Sequence, residues 1–389
     1  MLRSLEARTQ LWRGEYAVAE ERSATAMDNQ PVGTPEWYHS AGLRVSAAGT
    51  LGDHQKVIAI ANFIIEVSEG QVARGPQVTA LAKAAGRLLF MGRYDEGVLL
   101  LGHLPEDLTY FAEKEPGVVG FVLTAKGYLS HQDGDLASYL EHFEEATYFF
   151  QEAGDRRSAV VSQVNIGFAY LQLGNYSAAE AILQKVLDVS ERMALGTTSA
   201  LARNNLGCVL TGLGRLDEAW DHELMAIESF ALQGNEALAN NSRVYLSKIL
   251  QLKGNLSAAE REAREALTKT ADFPMFQAQA LTQLGSLLLQ TEQVKDALKA
   301  LEKAKKLRDS MGQVLEVESE MLVLLHDGYE KSGRNEDAYK AAQEAYESLM
   351  SRTAKIRDPG WRACFTRNKA DNRRILDLAN KYGLLAVHT

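Results

Sequence analysis

Thr198-Ser-Ala-Leu-Ala-Arg-Asn-Asn-Leu-Gly-Cys-Val-Leu-Thr-Gly-Leu213, continued by Gly214-Arg-Leu-Asp-Glu-Ala-Trp-Asp-His-Glu-Leu-Met-Ala-Ile-Glu-Ser-Phe230, is the stretch that decides the fold. In its first half Leu201, Ala202, Leu206, Gly207, Val209 and Leu210 recur at the spacing of one helix face. In its second half Ala219, Trp220, Leu224, Ile227 and Phe230 recur at steps of one, three and four, so a second helix ends before Gly234. Gly214 suits the left-handed position that closes a helix, and an Asp or Ser soon after such a Gly favours the free N–H groups of the next helix. The stretch is a helical hairpin.

The same phrase returns along the chain. Gly-x-aromatic/Leu-x-x-small recurs from Gly14, Gly92, Gly174, Gly214 and Gly254, with looser copies from Gly52, Gly134, Glu292 and Gly333. The intervals are 38, 40, 42, 40, 40, 40, 38 and 41 residues, so nine units fill the chain to about residue 350. Seven residues before the turn stand Ala7, Ala85, Gly127, Gly167, Gly207, Ser247 and Gly285, with Val45 and His326 as exceptions. Five after it stand Ala19, Val57, Gly97, Ala179, Ala219, Ala259, Ala297 and Ala338, with Tyr139 the outlier. A mid-helix Gly costs about 1 kcal/mol against Ala, and close approach of the paired helix is the compensating reason.

Two small positions, a turn Gly and an aromatic recurring together resemble the tetratricopeptide repeat family, in a 40-residue form rather than the commoner 34. The resemblance implies an all-α, right-handed superhelical α-solenoid of about nine antiparallel helical hairpins over residues 1–350, with turns at 14, 52, 92, 134, 174, 214, 254, 292 and 333. Residues 351–389 then form a basic C-terminal capping segment with a capping helix.

Composition agrees with a helical chain. It has 389 residues, 46% hydrophobic and only 7 Pro, where average usage would give roughly 19. Pro31, Pro35, Pro76, Pro116 and Pro274 fall between units, and Pro359 lies beyond the ninth. Only Pro105 intrudes, so the second helix of the third unit should be short or broken, either as a tolerated irregularity or as a hinge. Two cysteines exclude a disulfide scaffold, no apolar run reaches a membrane span, and the N-terminus lacks a signal peptide's apolar segment. A cytoplasmic location is expected. Met1 falls at the start of the first helix, which leaves that end without a cap.

Asp358-Pro359 is a sound helix start, with Asp as N-cap and Pro at the first helical position. Trp361, Phe365, Ile375, Leu376 and Leu378 can cover the last hairpin. The segment from Ile356 to Ala379 resembles the closing segment of helical-repeat regions in large bacterial kinase or ATPase signalling proteins, with Lys369-Ala370 where that pattern has Val-Pro. Residues 351–389 carry nine basic and three acidic side chains, net +6, against −15 for the remainder. Such a tail can remain a solvated cap face, or dock on an acidic surface of its own solenoid or of another copy, which leaves room for a homo-oligomer through the ends or the tail.

No catalytic constellation holds up. His222-Glu223 begins HExxH, but Ala226 stands where the second His is needed, so His222 reads as a surface histidine. There is no phosphate-cradling P-loop and no G-x-S-x-G elbow, Cys208 and Cys364 read as buried or partly buried thiols, and Asp133-Gly-Asp135 does not fit a calcium loop. No cofactor or metal is expected. An acidic body argues against nucleic acid.

In tetratricopeptide solenoids the first helices line the concave surface, and counting back from each turn selects the residues that would face it. Nine and ten back stand Asn165, Asn204 and Asn205, Val244 and Tyr245, and Thr282 and Gln283. Six back run Tyr128, Phe168, Cys208 and Lys248, and thirteen back stand Asn241 and Gln279. Carboxamides match the N–H and C=O of an extended ligand, and family members with Asn in the N-x-G phrase, here Asn165-Ile-Gly167 and Asn205-Leu-Gly207, often hold ligand backbone with it. The alternative is that these residues bridge neighbouring hairpins or meet only water. The expected function is a non-catalytic protein- or peptide-binding scaffold in bacterial signalling. A stand-alone receptor for a signalling peptide and a self-assembling structural scaffold are the competing readings.

Overall fold

The computed structural model describes residues 2–68, 74–270, 273–311 and 316–387. Met1, on which the uncapped end was read, lies outside them. Among the described residues the chain is all-helical, and consecutive helices pair as antiparallel hairpins. In order these are α1 (Leu2–Arg13) with α2 (Tyr16–Asp28), α3 (Pro35–Thr50) with α4 (His54–Ser68), and α5 (Gly75–Phe90) with α6 (Tyr94–Leu101). A short α7 (Thr109–Lys114) precedes α8 (Pro116–Gln132) with α9 (Leu136–Glu152). Then follow α10 (Arg156–Gln172) with α11 (Tyr176–Arg192), α12 (Gly196–Gly212) with α13 (Leu216–Leu232), and α14 (Glu236–Leu252) with α15 (Leu256–Lys269). The last pairs are α16 (Pro274–Gln290) with α17 (Val294–Met311) and α18 (Glu318–Lys331) with α19 (Asn335–Lys355), closed by α20 (Pro359–Arg367) and α21 (Ala370–Lys381).

The turns show why the phrase recurs. Gly214 takes φ +78°, and the following N–H of Arg215 reaches back to the Leu210 carbonyl at 2.9 Å, a six-to-one closure that satisfies the helix end. The residue after the turn Gly then caps the next helix, as Asp135 does by accepting from the Ser138 N–H at 3.0 Å. Glu292 holds the same left-handed conformation, φ +60°, without glycine's freedom. Prolines 35, 76, 116, 274 and 359 each occupy the first turn of a helix, where no N–H is missed. Pro105 lies in the break where α6 stops after eight residues, so the third hairpin is truncated.

The small position seven before the turn is filled by the residue nine after it. A Cβ on Gly167 would stand 2.5 Å from Leu183 Cγ, on Gly127 2.6 Å from the Phe143 ring, and on Gly285 2.5 Å from Leu301. His326, one of the two exceptions, packs edge-on to Tyr382 beyond α21, a residue of the cap.

The coil closes on itself. Tyr16, after the first turn, hydrogen-bonds Thr197 at the start of the sixth hairpin, while Gly14 packs on Gln233 at its end. Gly52 of the second turn meets the Phe273 ring beyond the seventh hairpin. Lys355, ending the ninth, donates to the Asp133 carbonyl beside the fourth turn, and Asn368 of the cap donates to the Gly174 carbonyl of the fifth at 2.9 Å. Contacts across the coil thus join the first turn to the sixth hairpin, the second to the start of the eighth, the fourth to the end of the ninth and the fifth to the cap. The basic tail docks on its own solenoid, with Lys381 on Glu330 and Arg374 on Asp327. Phe365, Ile375 and Leu378 are buried there, and Trp361 and Leu376 are partly so.

Two glycine changes should move stability in opposite directions. Gly167→Ala should lower the urea midpoint, because overpacking Leu183 costs about 1–3 kcal/mol and exceeds the roughly 1 kcal/mol of helix propensity gained. Leu183→Ala in the same chain should make the Gly167 substitution neutral or favourable. Glu292→Gly should raise the midpoint, since it relieves about 1 kcal/mol of left-handed strain and loses only an exposed contact with Lys331.

Candidate binding groove

The first helices of successive hairpins bring one register of residues onto a shared inner surface, and most of its amides are tied into the frame. Asn165 accepts from Tyr139 Oη at 2.9 Å and donates to the Val161 carbonyl at 3.1 Å. Phe168 is half-buried against the Tyr139 and His131 rings. Asn204 donates to Glu223 Oε2 at 2.9 Å and to Ser242 Oγ at 3.0 Å, so it bridges two hairpins. Gln283 donates to Ser247 Oγ at 3.1 Å and Gln251 Oε1 at 2.9 Å.

A second group gathers around a residue that sequence periodicity could not mark. Glu316, in the connection before α18, accepts from Tyr245 Oη at 2.9 Å and from Gln279 Nε2 at 3.2 Å. Lys248 pairs with Glu320 at 2.8 Å. Burial works against its charge, but Glu320 and Asp371 outweigh that and raise the ammonium's pKa. From the cap, Lys369 reaches in to Gln172 Oε1 at 3.2 Å, and burial lowers its pKa.

Two amides are different. Asn205 is only 7% exposed and has no hydrogen-bond partner among the described residues. Asn241 is 8% exposed, and its buried Oδ1 is also unpartnered. Buried polar groups are bonded in the great majority of cases, so Asn241 Oδ1 and, in the next hairpin, Gln279 Oε1, both enclosed without a partner, mark hydrogen bonding left unfinished, and the Asn205 amide beside them, whose atoms are not enclosed, is free to bond.

Glu223 is buried where the equivalent positions of other hairpins hold Phe143, Leu183, Ala263 and Leu301. Burial pushes its carboxyl pKa well up, opposed by hydrogen bonds from Asn204, Ser242 and Cys208. Alignment of the nine units on their turns would have exposed this break in an apolar column. The Cys208 thiol beside it is raised by burial and by Glu223, the reverse of an activated nucleophile. His222 is half-buried rather than a surface histidine, with Nδ1 enclosed and unpartnered, because α13 carries it against the hairpin interface. His326, Asp327 and Glu330 lie together, but His326 Nδ1 meets Asp327 at 2.7 Å and Nε2 meets Tyr382 Oη at 3.1 Å, so both ring nitrogens serve the cap.

Family models described as tetratricopeptide repeat match residues 158–231 and 278–310. No curated protein matches the sequence. A solved Rap protein complexed with competence and sporulation factor is similar at 10% identity and TM-score 0.62, over 90% of this chain and 99% of that one. NprR in complex with its cognate peptide NprX is similar at 14% identity and TM-score 0.59, over 86% and 96%. The apo form of the quorum sensor NprR from B. thuringiensis gives 14% and 0.56, over 89% and 97%. At these identities the likeness is one of fold. The chain contains segments that match tetratricopeptide repeats and has the fold of a helical-repeat solenoid. No described helix is long and apolar enough to cross a membrane.

The Glu223 carboxyl carries a pH signature. Folded, it keeps its proton above the range where the unfolded chain's Glu releases one, so stability falls as pH rises through that window, by at most about 1.4 kcal/mol per unit. Glu223→Gln should therefore unfold at a urea midpoint near that of the native chain at about pH 4, and at a clearly higher one at about pH 8. A midpoint difference that does not change with pH would show that the folded carboxyl titrates as it does in the unfolded chain.

Proposed function

We propose that this solenoid is a non-catalytic receptor scaffold of bacterial signalling that binds an extended peptide along its inner surface, with the fifth to eighth hairpins supplying the recognition. The observation that carries the reading is the pair of open carboxamides, Asn205 and Asn241. A carboxamide offers one donor group and one acceptor, the complement of a peptide unit, without a charge to desolvate. Phe168, Tyr245 and Lys248 flank them, and Asn165, Asn204, Gln279 and Gln283 hold the frame. The fold likeness to peptide-complexed Rap and NprR supports a peptide as the ligand class. Docking of the basic tail on its own solenoid favours a receptor over a scaffold that assembles through that tail.

The test is fluorescence polarisation of the full chain against a positional library of short labelled peptides. The selected peptide should bind at least about tenfold more weakly to Asn205→Ala with Asn241→Ala, the loss of roughly two net hydrogen bonds. N-methylation of one backbone amide in that peptide should weaken binding to the native chain and add little in the double variant. Undiminished binding to the double variant would sink the assignment.

A further inference from the structure

The inner surface is shut more tightly than a bound peptide would allow. Asn241, Gln279 and Gln283 are each less than a tenth exposed, and Asn241 Oδ1 and Gln279 Oε1 are sealed from solvent. A peptide that bonds those amides needs room that the closed coil does not leave, so one of its seams has to part.

The seam made by the cap is held unequally at its two ends. Its base is fixed to the ninth hairpin: Phe365, Ile375 and Leu378 are buried, Tyr382 packs edge-on to His326, and Lys381 and Arg374 pair with Glu330 and Asp327. Its tip, where α20 passes into α21, rests on the fifth turn. There Asn368 Nδ2 donates to the Gly174 carbonyl at 2.9 Å, Lys369 Nζ donates to Gln172 Oε1 at 3.2 Å, and Trp361 meets Tyr170 edge-on. The approach depends on glycine, since a Cβ on Gly174 would stand 2.9 Å from the Cys364 carbonyl oxygen. Leu173 is fully buried in the same apolar cluster as Phe365, whereas Leu213, one before the sixth turn, is 43% exposed beside an open Gly214. The tip thus shelters one apolar side chain and makes two hydrogen bonds to uncharged acceptors, a local contact of the kind that opens and recloses without unfolding the rest.

One of those bonds brings a charge inside. The Lys369 amine is near enough to Glu316 and Lys248 to feel both, and burial lowers its pKa, with Glu316 and Asp371 opposing. It has no carboxylate at ion-pair distance among the described residues. Holding an ammonium there weakens the closed form, and lifting the tip returns it to water. The same charge acts on the Cys208 thiol of the sixth hairpin, so the tip reaches the stretch where the open amides lie.

We propose that the junction of α20 and α21 is an autoinhibitory latch: Asn368 and Lys369 hold the coil shut against the fifth turn, and a ligand gains the inner surface of the fifth to seventh hairpins when they lift. The inference goes beyond the peptide-receptor reading and rests on it only for what enters.

The experiment uses the full chain and its two natural cysteines. Cys364→Ser leaves Cys208, on the inner surface, as the only thiol, and the uncharged reagent 4,4′-dithiodipyridine reports how often it is reached in the folded chain. In that background Asn368→Ala with Lys369→Ala should label about tenfold faster or more, the weight of roughly two net hydrogen bonds. Electrostatics alone would act the other way, since the Lys369 charge lowers the thiol's pKa and its loss makes the thiolate scarcer. Gln172→Glu, which gives Lys369 an ion-pair partner, should label severalfold more slowly than the parent. Hydrogen exchange in α18 and α19 should be the same in all three chains, because the base of the cap stays in place. Equal labelling rates in the three overturn the proposal, as does faster labelling accompanied by faster exchange throughout α18 and α19, which would be general unfolding and not lifting of the tip. No peptide enters this measurement, so it and the Asn205/Asn241 measurement can fail independently.

Discussion

The contact between the small residue seven before each turn and the side chain nine after it is the constraint from which the rest of the architecture follows. Without a Cβ at Gly127, Gly167 or Gly285, the two helices of a hairpin approach until Phe143, Leu183 or Leu301 fills the gap. A fully buried Leu or Phe contributes about 1.5–3 kcal/mol, which exceeds the roughly 1 kcal/mol that a mid-helix glycine loses. Because the same contact recurs at nearly the same interval, each hairpin is laid on its predecessor with a similar rotation. Repetition of one local geometry is what bends a stack into a superhelix.

Closure follows from how those rotations add. By the fifth hairpin beyond, the coil has returned far enough for Tyr16 to meet Thr197 and for Asn368 to meet Gly174. These coil-to-coil contacts combine polar bonds with apolar packing, since Tyr170 meets Trp361 edge-on and Gly52 meets the Phe273 ring, and one apolar cluster includes residues of the fourth and fifth hairpins together with the ninth and the cap. They turn an open concave face into an enclosed one. Polar residues that would be wetted in an extended solenoid become buried here, which is why Asn204, Gln279 and Gln283 need partners and mostly have them. The cap takes part in this enclosure, since Lys369 and Asn368 contact the fifth hairpin as well as covering the ninth.

What could be read in advance divides along the same line. The hairpins, their turns and the truncated third pair were legible because each depends on residues within one repeat: a left-handed glycine, a small residue, a proline. The shared register was legible too, since helical spacing alone puts Asn165, Asn205 and Tyr245 at equivalent positions of successive first helices. Partners across repeats were not. Tyr139 on Asn165, Ser242 on Asn204 and Glu316 on Tyr245 depend on the accumulated rotation between hairpins or on a connection with no periodicity. Glu223 is the intermediate case, a local break in an apolar column that only the aligned units reveal. His222 was misread because its motif was judged as a metal site and not against the buried face of α13.

The distribution of charge along the same register limits what the proposed ligand can carry. Toward the C-terminal hairpins the chain completes its own ion pairs and hydrogen bonds, with Glu320 on Lys248 and Glu316 on Tyr245. A ligand carboxylate there would meet groups already satisfied and would have to displace an internal one. Toward the N-terminal hairpins a cavity that Lys83 lines also holds the chain's own Glu115, and the Asp155 charge acts on the Lys83 amine. Between the two lie Asn205 and Asn241, which have hydrogen-bonding capacity and no charge. A carboxylate brought against Glu316 and Glu320 would meet a like-charge cost, of the kind by which a groove rejects the wrong ligand.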